Sequence, residues 1–105
     1  MALLQNIQRK IGWRQYELSK HAVDQSIVRD ITISELEQAI VGRSEVIEDY
    51  PDDKYGPSCL IMGVTRAGRA LHIQCSYPVR PLIKIVTVYE PDPELWIDLR
   101  TRKVD

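Results

Sequence analysis

Cysteine is scarce in this chain of 105 residues: only Cys59 and Cys75 occur. Two thiols so far apart make no disulfide framework, and no C-x-x-C pair exists. They read as reduced, mostly buried side chains. Histidine is equally scarce, with His21 and His72 alone. A zinc site built from both cysteines and both histidines lacks the short ligand spacing of structural sites. Neither a metal nor another cofactor is expected. No apolar run reaches the roughly eighteen residues of a membrane-crossing helix. The opening "MALLQNIQRKIGW" lacks a basic leader, and polar residues interrupt its apolar stretch, so it does not read as a signal peptide. A cytoplasmic protein without membrane contact is the expectation. There are no repeats and no low-complexity tracts.

An excess of either charge is also missing. Fourteen Lys and Arg oppose fifteen Asp and Glu, a net charge of −1. That excludes a protein gripping nucleic acid by bulk charge; any such contact must come from a local cluster of cations. The acids are concentrated in "EVIEDYPDDK", with Glu45, Glu48, Asp49, Asp52 and Asp53, while the tail "RTRK" is basic. This asymmetry permits an anion site on one side.

The length suits one domain with one core, spanning residues 1–105, with an N-terminal helical segment (1–15) and a C-terminal tail (97–105). Leu3, Leu4, Ile7 and Ile11 recur at near-helical spacing, so residues 2–11 form an amphipathic helix ended by Gly12. "RQYELS" is a short strand or an extended approach. Ser19 is an N-cap candidate for a second helix, with Val23 and Ile27 on one face, broken near residue 30. Thr32 and Glu35 form a capping box for a third helix. Its buried stripe is Ile33, Leu36, Ala39 and Ile40, and Gly42 is its expected left-handed stop. "EVIEDY" is a strand and "PDDKYGP" a loop.

"SCLIMGVT" and "ALHIQCS" flank "RAGR" as a hairpin. A two-residue turn at Ala67-Gly68 pairs Val64 with Leu71, Met62 with Ile73 and Leu60 with Cys75, an all-apolar core face. The other face pairs Gly63 with His72 and Ile61 with Gln74, which sets Cys59 and Cys75 on opposite faces. "LIKIVTVYE" is a central strand rich in β-branched residues. "PDPELW" turns away, Trp96 packs back on the body, and the tail trails off. The fold class is α+β: N-terminal helices on a mostly antiparallel sheet of four to five strands.

"LSKHAVDQSIVRDITISELEQAI", "EDYPDDKYGPSCLIMG", "GRALHIQCSY" and "IVTVYEPDPELW" together resemble a bacterial domain family of unknown function, DUF4258. The resemblance runs from about Tyr16 to Trp96. It implies a RelE-like fold, the group of small ribonuclease domains that includes barnase-like and colicin-type RNases and many toxins of toxin–antitoxin pairs. It also implies a cognate antitoxin, a small zinc-ribbon protein being a frequent genomic neighbour. Carried over by position are His21 before the first long helix, Arg29 eight residues on, Arg69 and His72 from "GRALH", and Thr87 and Tyr89 from the last strand.

Those residue types suit metal-independent cleavage of RNA through its 2′-hydroxyl. Histidine titrates near neutrality and serves as acid or base. Arginine's fork fits phosphate oxygens and stays charged. Tyrosine donates a proton or stacks on a base. The expectation is therefore an endoribonuclease toxin acting on RNA, mRNA included. His21, His72 and Tyr89 are its catalytic candidates; Arg29, Arg69, Lys20 and Thr87 are its phosphate and RNA contacts. His21 and Arg29 stand about 80° apart around a helix and share a broad face. The alternative is a non-catalytic RNA- or protein-binding module on the same fold.

Overall fold

A computed structural model of the chain describes residues 2–104. The elements are, in order, α1 (Leu3–Gly12), β1 (Tyr16–Leu18), α2 (Lys20–Val28), α3 (Ile33–Val41), β2 (Arg43–Tyr50), β3 (Ser58–Val64), β4 (Ala70–Ser76), β5 (Ile83–Tyr89), β6 (Trp96–Ile97) and β7 (Thr101–Arg102). Five strands form one sheet in the order β1-β5-β4-β3-β2, and β6 and β7 form a second of two. All pairs in the large sheet are antiparallel except β1 with β5. This is the α+β class the hydrophobic pattern predicts.

Each helix begins for a reason visible in the sequence. The Ser19 hydroxyl accepts the Ala22 amide at 3.0 Å to start α2. At α3, the Glu35 amide donates to the Thr32 hydroxyl and the Thr32 amide to the Glu35 carboxylate, both halves of the capping box. Ile7 and Ile11 of α1 and Leu36, Ala39 and Ile40 of α3 are buried with Ile61, Leu71, Ile73, Ile83, Ile85 and Val88 of the sheet. Burying each large apolar side chain is worth roughly 1.5–3 kcal/mol.

Several local expectations are corrected. Ile33, the first residue of α3, is 46% exposed and outside the buried stripe. Gly42 has φ −83, so it stops α3 without a left-handed residue. Val23 and Ile27 do share a face of α2, but an outer one: Ile27 is 73% exposed and Ala22 is the residue buried. The tail does not trail off, since Trp96 pairs with Arg102 and Ile97 with Thr101.

The β3–β4 hairpin differs in register. Gly68 at φ 90 closes a three-residue loop. Its amide donates to the Thr65 carbonyl, and the Thr65 amide to the Arg69 carbonyl, both at 2.9 Å. This longer turn pairs Gly63 with Leu71, Met62 with His72, Ile61 with Ile73, Leu60 with Gln74 and Cys59 with Cys75. Leu71, Ile73 and Cys75 face the helices as expected, but their partners there are Gly63, Ile61 and Cys59. The two cysteines are therefore cross-strand neighbours on one face, both free and buried, and close enough that Cys59 and burial together raise the Cys75 thiol's pKa. Leu60 and Met62 face outward with His72, and are buried all the same.

The position of α3 accounts for this choice. A Cβ added at Gly63 would lie 2.0 Å from the Ala39 carbonyl oxygen. Only glycine admits the helix backbone that close. Gly63→Ala is expected to lower the unfolding free energy by about 3 kcal/mol. Gly12→Ala, where the added carbon meets nothing within 4 Å, is expected to raise it by roughly 0.5 kcal/mol. Urea denaturation of the two variants measures both.

Candidate functional site

The outer face of the sheet, turned away from α1 and α3, carries the candidate residues. His72 faces Tyr89, and Gln74 faces Thr87, across the β4–β5 ladder. Thr87 and Tyr89 are two apart on one strand, so their side chains share this face about 6.6 Å apart. The register shifts at Gln74/Cys75, leaving Val86 as an extra residue in β5, and such a bulge bends the strand locally. There α2 takes over from β1 as the neighbour of β5: the Ser19 amide donates to the Ile85 carbonyl at 2.9 Å, and its hydroxyl to the Val86 carbonyl at 3.0 Å.

This placement brings His21 to Thr87, with Nε2 3.2 Å from the hydroxyl oxygen. His72 sits 3.2 Å from the Tyr89 hydroxyl through Nδ1. The two histidines thus meet neighbouring side chains of one strand face. Their environments are opposite. His21 is exposed, whereas His72 is fully buried. Trp96 meets the His72 ring edge-on, centroids 4.5 Å apart. His72 Nε2 lies 2.6 Å from the Leu99 carbonyl oxygen. A carbonyl only accepts, so Nε2 carries the proton, and in the neutral ring Nδ1 accepts from the Tyr89 hydroxyl. Burial lowers the His72 pKa, against upward pulls from the Leu99 carbonyl and Glu48. Burial likewise raises the Tyr89 pKa, and Arg102 and Arg29 oppose it.

Arg69 is not free. Its guanidinium donates to the Asp30 carbonyl (2.8 Å), the Arg29 carbonyl (2.9 Å), Glu35 (3.1 Å) and Glu90 (3.0 Å). It ties the α2–α3 turn to the end of β5, and Glu90 and Glu35 hold its charge against a burial cost. Arg29 is exposed and bonds only Gln25, at 2.9 Å. Among the described residues no carboxylate pairs with it, and its charge is felt at Tyr89 and Glu90. Lys20 is exposed and paired with Asp24 at 2.9 Å.

Beside Gln74 and Ser19 the face opens into a groove of about 470 Å³. Ser58, Gln74, Ser76 and Val86 line it, with Arg80 and Tyr55 from the loops on either side. Among the described residues Arg80 makes no ion pair. Gln74 donates to Ser58 at 3.3 Å, and Ser58 to Asp53 at 3.2 Å. The groove escaped the sequence reading because its lining comes from separate strands and loops. The alternation Gln74, Ser76 with Ser58 was its only local sign.

The other half of the face is covered by the β6–β7 hairpin. Arg100 pairs with Glu45, and Arg102 grips Glu48 through two bonds at 2.8 and 3.1 Å. The Arg102 guanidinium also stacks on Trp96, 4.7 Å from the ring centre. Burial works against the Glu48 charge, but Arg102 and Tyr50 more than offset it and hold its pKa low. Two cations of the basic tail thus pair with two carboxylates of the acidic segment. Among the described residues no group of three or more His, Cys, Asp or Glu side chains is arranged to hold a metal, and no helix is long and apolar enough to cross a membrane.

An α+β domain carrying an exposed imidazole beside a strand threonine is the class these observations define. The chain belongs to the family described as Domain of unknown function (DUF4258), whose model matches residues 18–90. No curated protein and no solved structure matches it.

Three substitutions test these assignments. Free imidazole titrates near 6.5, and buried His72 titrates lower. The unfolded chain therefore binds the proton first. Stability is undiminished above about pH 6.5 and falls as pH drops toward the folded-state value. The carboxylates of Glu35, Glu48 and Glu90 act only at lower pH, their pKa values lying below an ordinary 4.5. The urea midpoint should fall between about pH 7.5 and 5.5, and should flatten in His72→Gln. Arg69→Met should cost about 2 kcal/mol of stability. Arg29→Met should leave the thermal midpoint nearly unchanged.

Proposed function

We propose that the chain is a metal-independent endoribonuclease of RelE-like type, the toxin of a toxin–antitoxin pair, with its reactive centre at the α2–β5 edge. The observation that supports this reading is the contact of the exposed His21 with Thr87, two residues from Tyr89 on one strand face, with Arg29, which pairs with no carboxylate among the described residues, acting on Tyr89 through its charge. Cleavage by this set is a transesterification. His21 takes the proton from the RNA 2′-hydroxyl, whose oxygen bonds the adjacent phosphorus. The bond to the 5′-oxygen breaks, and Tyr89, once its hydroxyl turns from His72 Nδ1 to the substrate, protonates that leaving oxygen. The Thr87 hydroxyl holds the His21 ring through Nε2, leaving Nδ1 for substrate. Arg29 balances the charge on the phosphoryl oxygens. The groove beside Gln74 receives a flanking nucleotide, with Arg80 near its phosphate and Tyr55 offering a stacking face. A cytoplasmic site of action and an antitoxin that covers this face, of small zinc-ribbon type, complete the proposal.

A second reading rests on its own observation. His72 is sealed from solvent and Arg69 is held by Glu35 and Glu90, which withdraws two of the expected functional groups. A non-catalytic RNA- or protein-binding module uses the same groove without needing either. The two readings part in one assay on a fluorophore-labelled oligoribonucleotide. His21→Ala and Thr87→Val should each keep the wild-type thermal midpoint, and His21→Ala should cut slower by roughly 10²–10⁴-fold. If wild type leaves the RNA intact at high concentration, and its expression without a neighbouring gene does not arrest growth, the binding module stands and the nuclease does not.

A further inference from the structure

The residues covering His72 follow the family-matched span, which ends at residue 90. We propose that the β6–β7 hairpin is a detachable cover that keeps His72 and Tyr89 out of the reactive site, and that its release completes that site. The gating half of this inference rests on the ribonuclease reading; the cover itself does not.

Four observations support it. The hairpin is a separate two-stranded sheet, laid on the outer face rather than laddered into it. It is joined through "EPDPEL", where Pro91 and Pro93 lack the amide hydrogens that would extend a ladder from β5. Beside the buried Trp96 and the Leu99 carbonyl, its anchors are ion pairs to the rim, Arg100 with Glu45 and Arg102 with Glu48, whose side chains are partly exposed. Such pairs weaken in salt or before a competing anion. Finally, Asp98 and Leu99 turn the hairpin at φ 52 and 61, a left-handed backbone disfavoured for residues other than glycine. Leu99 is the residue whose carbonyl holds His72 Nε2. The contact that silences the imidazole is made from a strained turn.

Release changes the chemistry of the face. His72 Nε2 loses its carbonyl and meets water. A protonated His72 then donates from Nδ1 to the Tyr89 oxygen, so Tyr89 can give its proton to a leaving oxygen and regain one from solvent through the imidazole. Release also frees Arg100 and Arg102 from their carboxylates. RNA phosphates compete for those same guanidinium groups, so a polyanion draws the cover open and gains the cations that a chain of net charge −1 otherwise lacks.

The test is the variant Glu45→Gln/Glu48→Gln of the whole chain, which removes the ionic anchors and leaves His21, Thr87 and the groove untouched. The probe is diethyl pyrocarbonate, which acylates exposed imidazoles. With two histidines in the chain, mass spectrometry counts them directly. The intact chain should be modified once and the variant twice. Amides of Arg100 and Lys103 should exchange at least tenfold faster than those of β3 and β4 in wild type, and faster again in the variant. Cleavage should rise about tenfold. A second imidazole that stays protected, or hairpin amides that exchange only together with the β3–β4 amides, overturns the cover. Exposure of His72 without a gain in cleavage overturns the gating. If neither form cuts RNA, the ribonuclease reading falls and gating with it, while the imidazole count still decides the cover.

Discussion

The approach of the Ala39 carbonyl to Gly63 is the contact on which the arrangement of this molecule turns. Most of β3 is apolar on both sides, so hydrophobicity alone does not say which side meets the helices. A helix backbone lying on the strand needs a position without a Cβ, and Gly63 is the only one in β3. With Gly63 beneath α3, Cys59 and Ile61 follow on the same face, and Leu71, Ile73 and Cys75 answer them from β4. His72 and Gln74 must then point the other way, and Tyr89 and Thr87 beside them. One missing methyl group thus directs the polar residues of the last two long strands to the outer face.

That outer face has two halves with different physics. One is dry. Leu60, Met62 and Trp96 are buried there with His72, and the two arginine–glutamate pairs close the rim. The other is open, with half-buried Gln74 and Ser76 and buried Ser58 lining a groove. The line between them runs along β5, from Tyr89 under the hairpin to Thr87 beside His21. Chain neutrality now has a structural meaning. The acidic segment and the basic tail do not create separate fields on opposite sides, because Glu45 and Glu48 take up Arg100 and Arg102. Arg80, which pairs with no carboxylate among the described residues, lies at the open groove.

Much of this was legible in the sequence where a local rule applies. The capping box at Thr32 and Glu35 and the N-cap at Ser19 each rest on residues within one turn, and each is present; of the stripe read for α3, Leu36, Ala39 and Ile40 are buried and Ile33 is not. The outward orientation of His72 was legible too, since β4 alternates. What escaped depends on residues far apart in the chain. The "RAGR" turn fits a two- or a three-residue loop. The loop length is decided by how α3 meets β3, not by the turn itself, so the cysteines were assigned to opposite faces. Arg69 reads as a free cation beside a turn, because Glu35 and Glu90 reach it only after folding. The tail reads as loose because its strands hold two residues apiece, too short for any alternation to show.

The chain's two histidines are the sharpest case of environment deciding chemistry. In the sequence they are equivalent candidates. In the fold they serve different ends of one strand face. His21 has one polar contact, to Thr87, and a second nitrogen with no partner among the described residues. His72 has both nitrogens engaged and an aromatic edge against its ring. A neutral imidazole with its acceptor nitrogen filled by a tyrosine proton neither takes nor gives a proton at neutral pH. What it does is fix the Tyr89 hydroxyl, and hold that hydroxyl's proton inward, for as long as the Leu99 carbonyl keeps Nε2 protonated. The direction of the Tyr89 proton therefore depends on a backbone carbonyl ten residues further along the chain, through the His72 ring that this carbonyl holds.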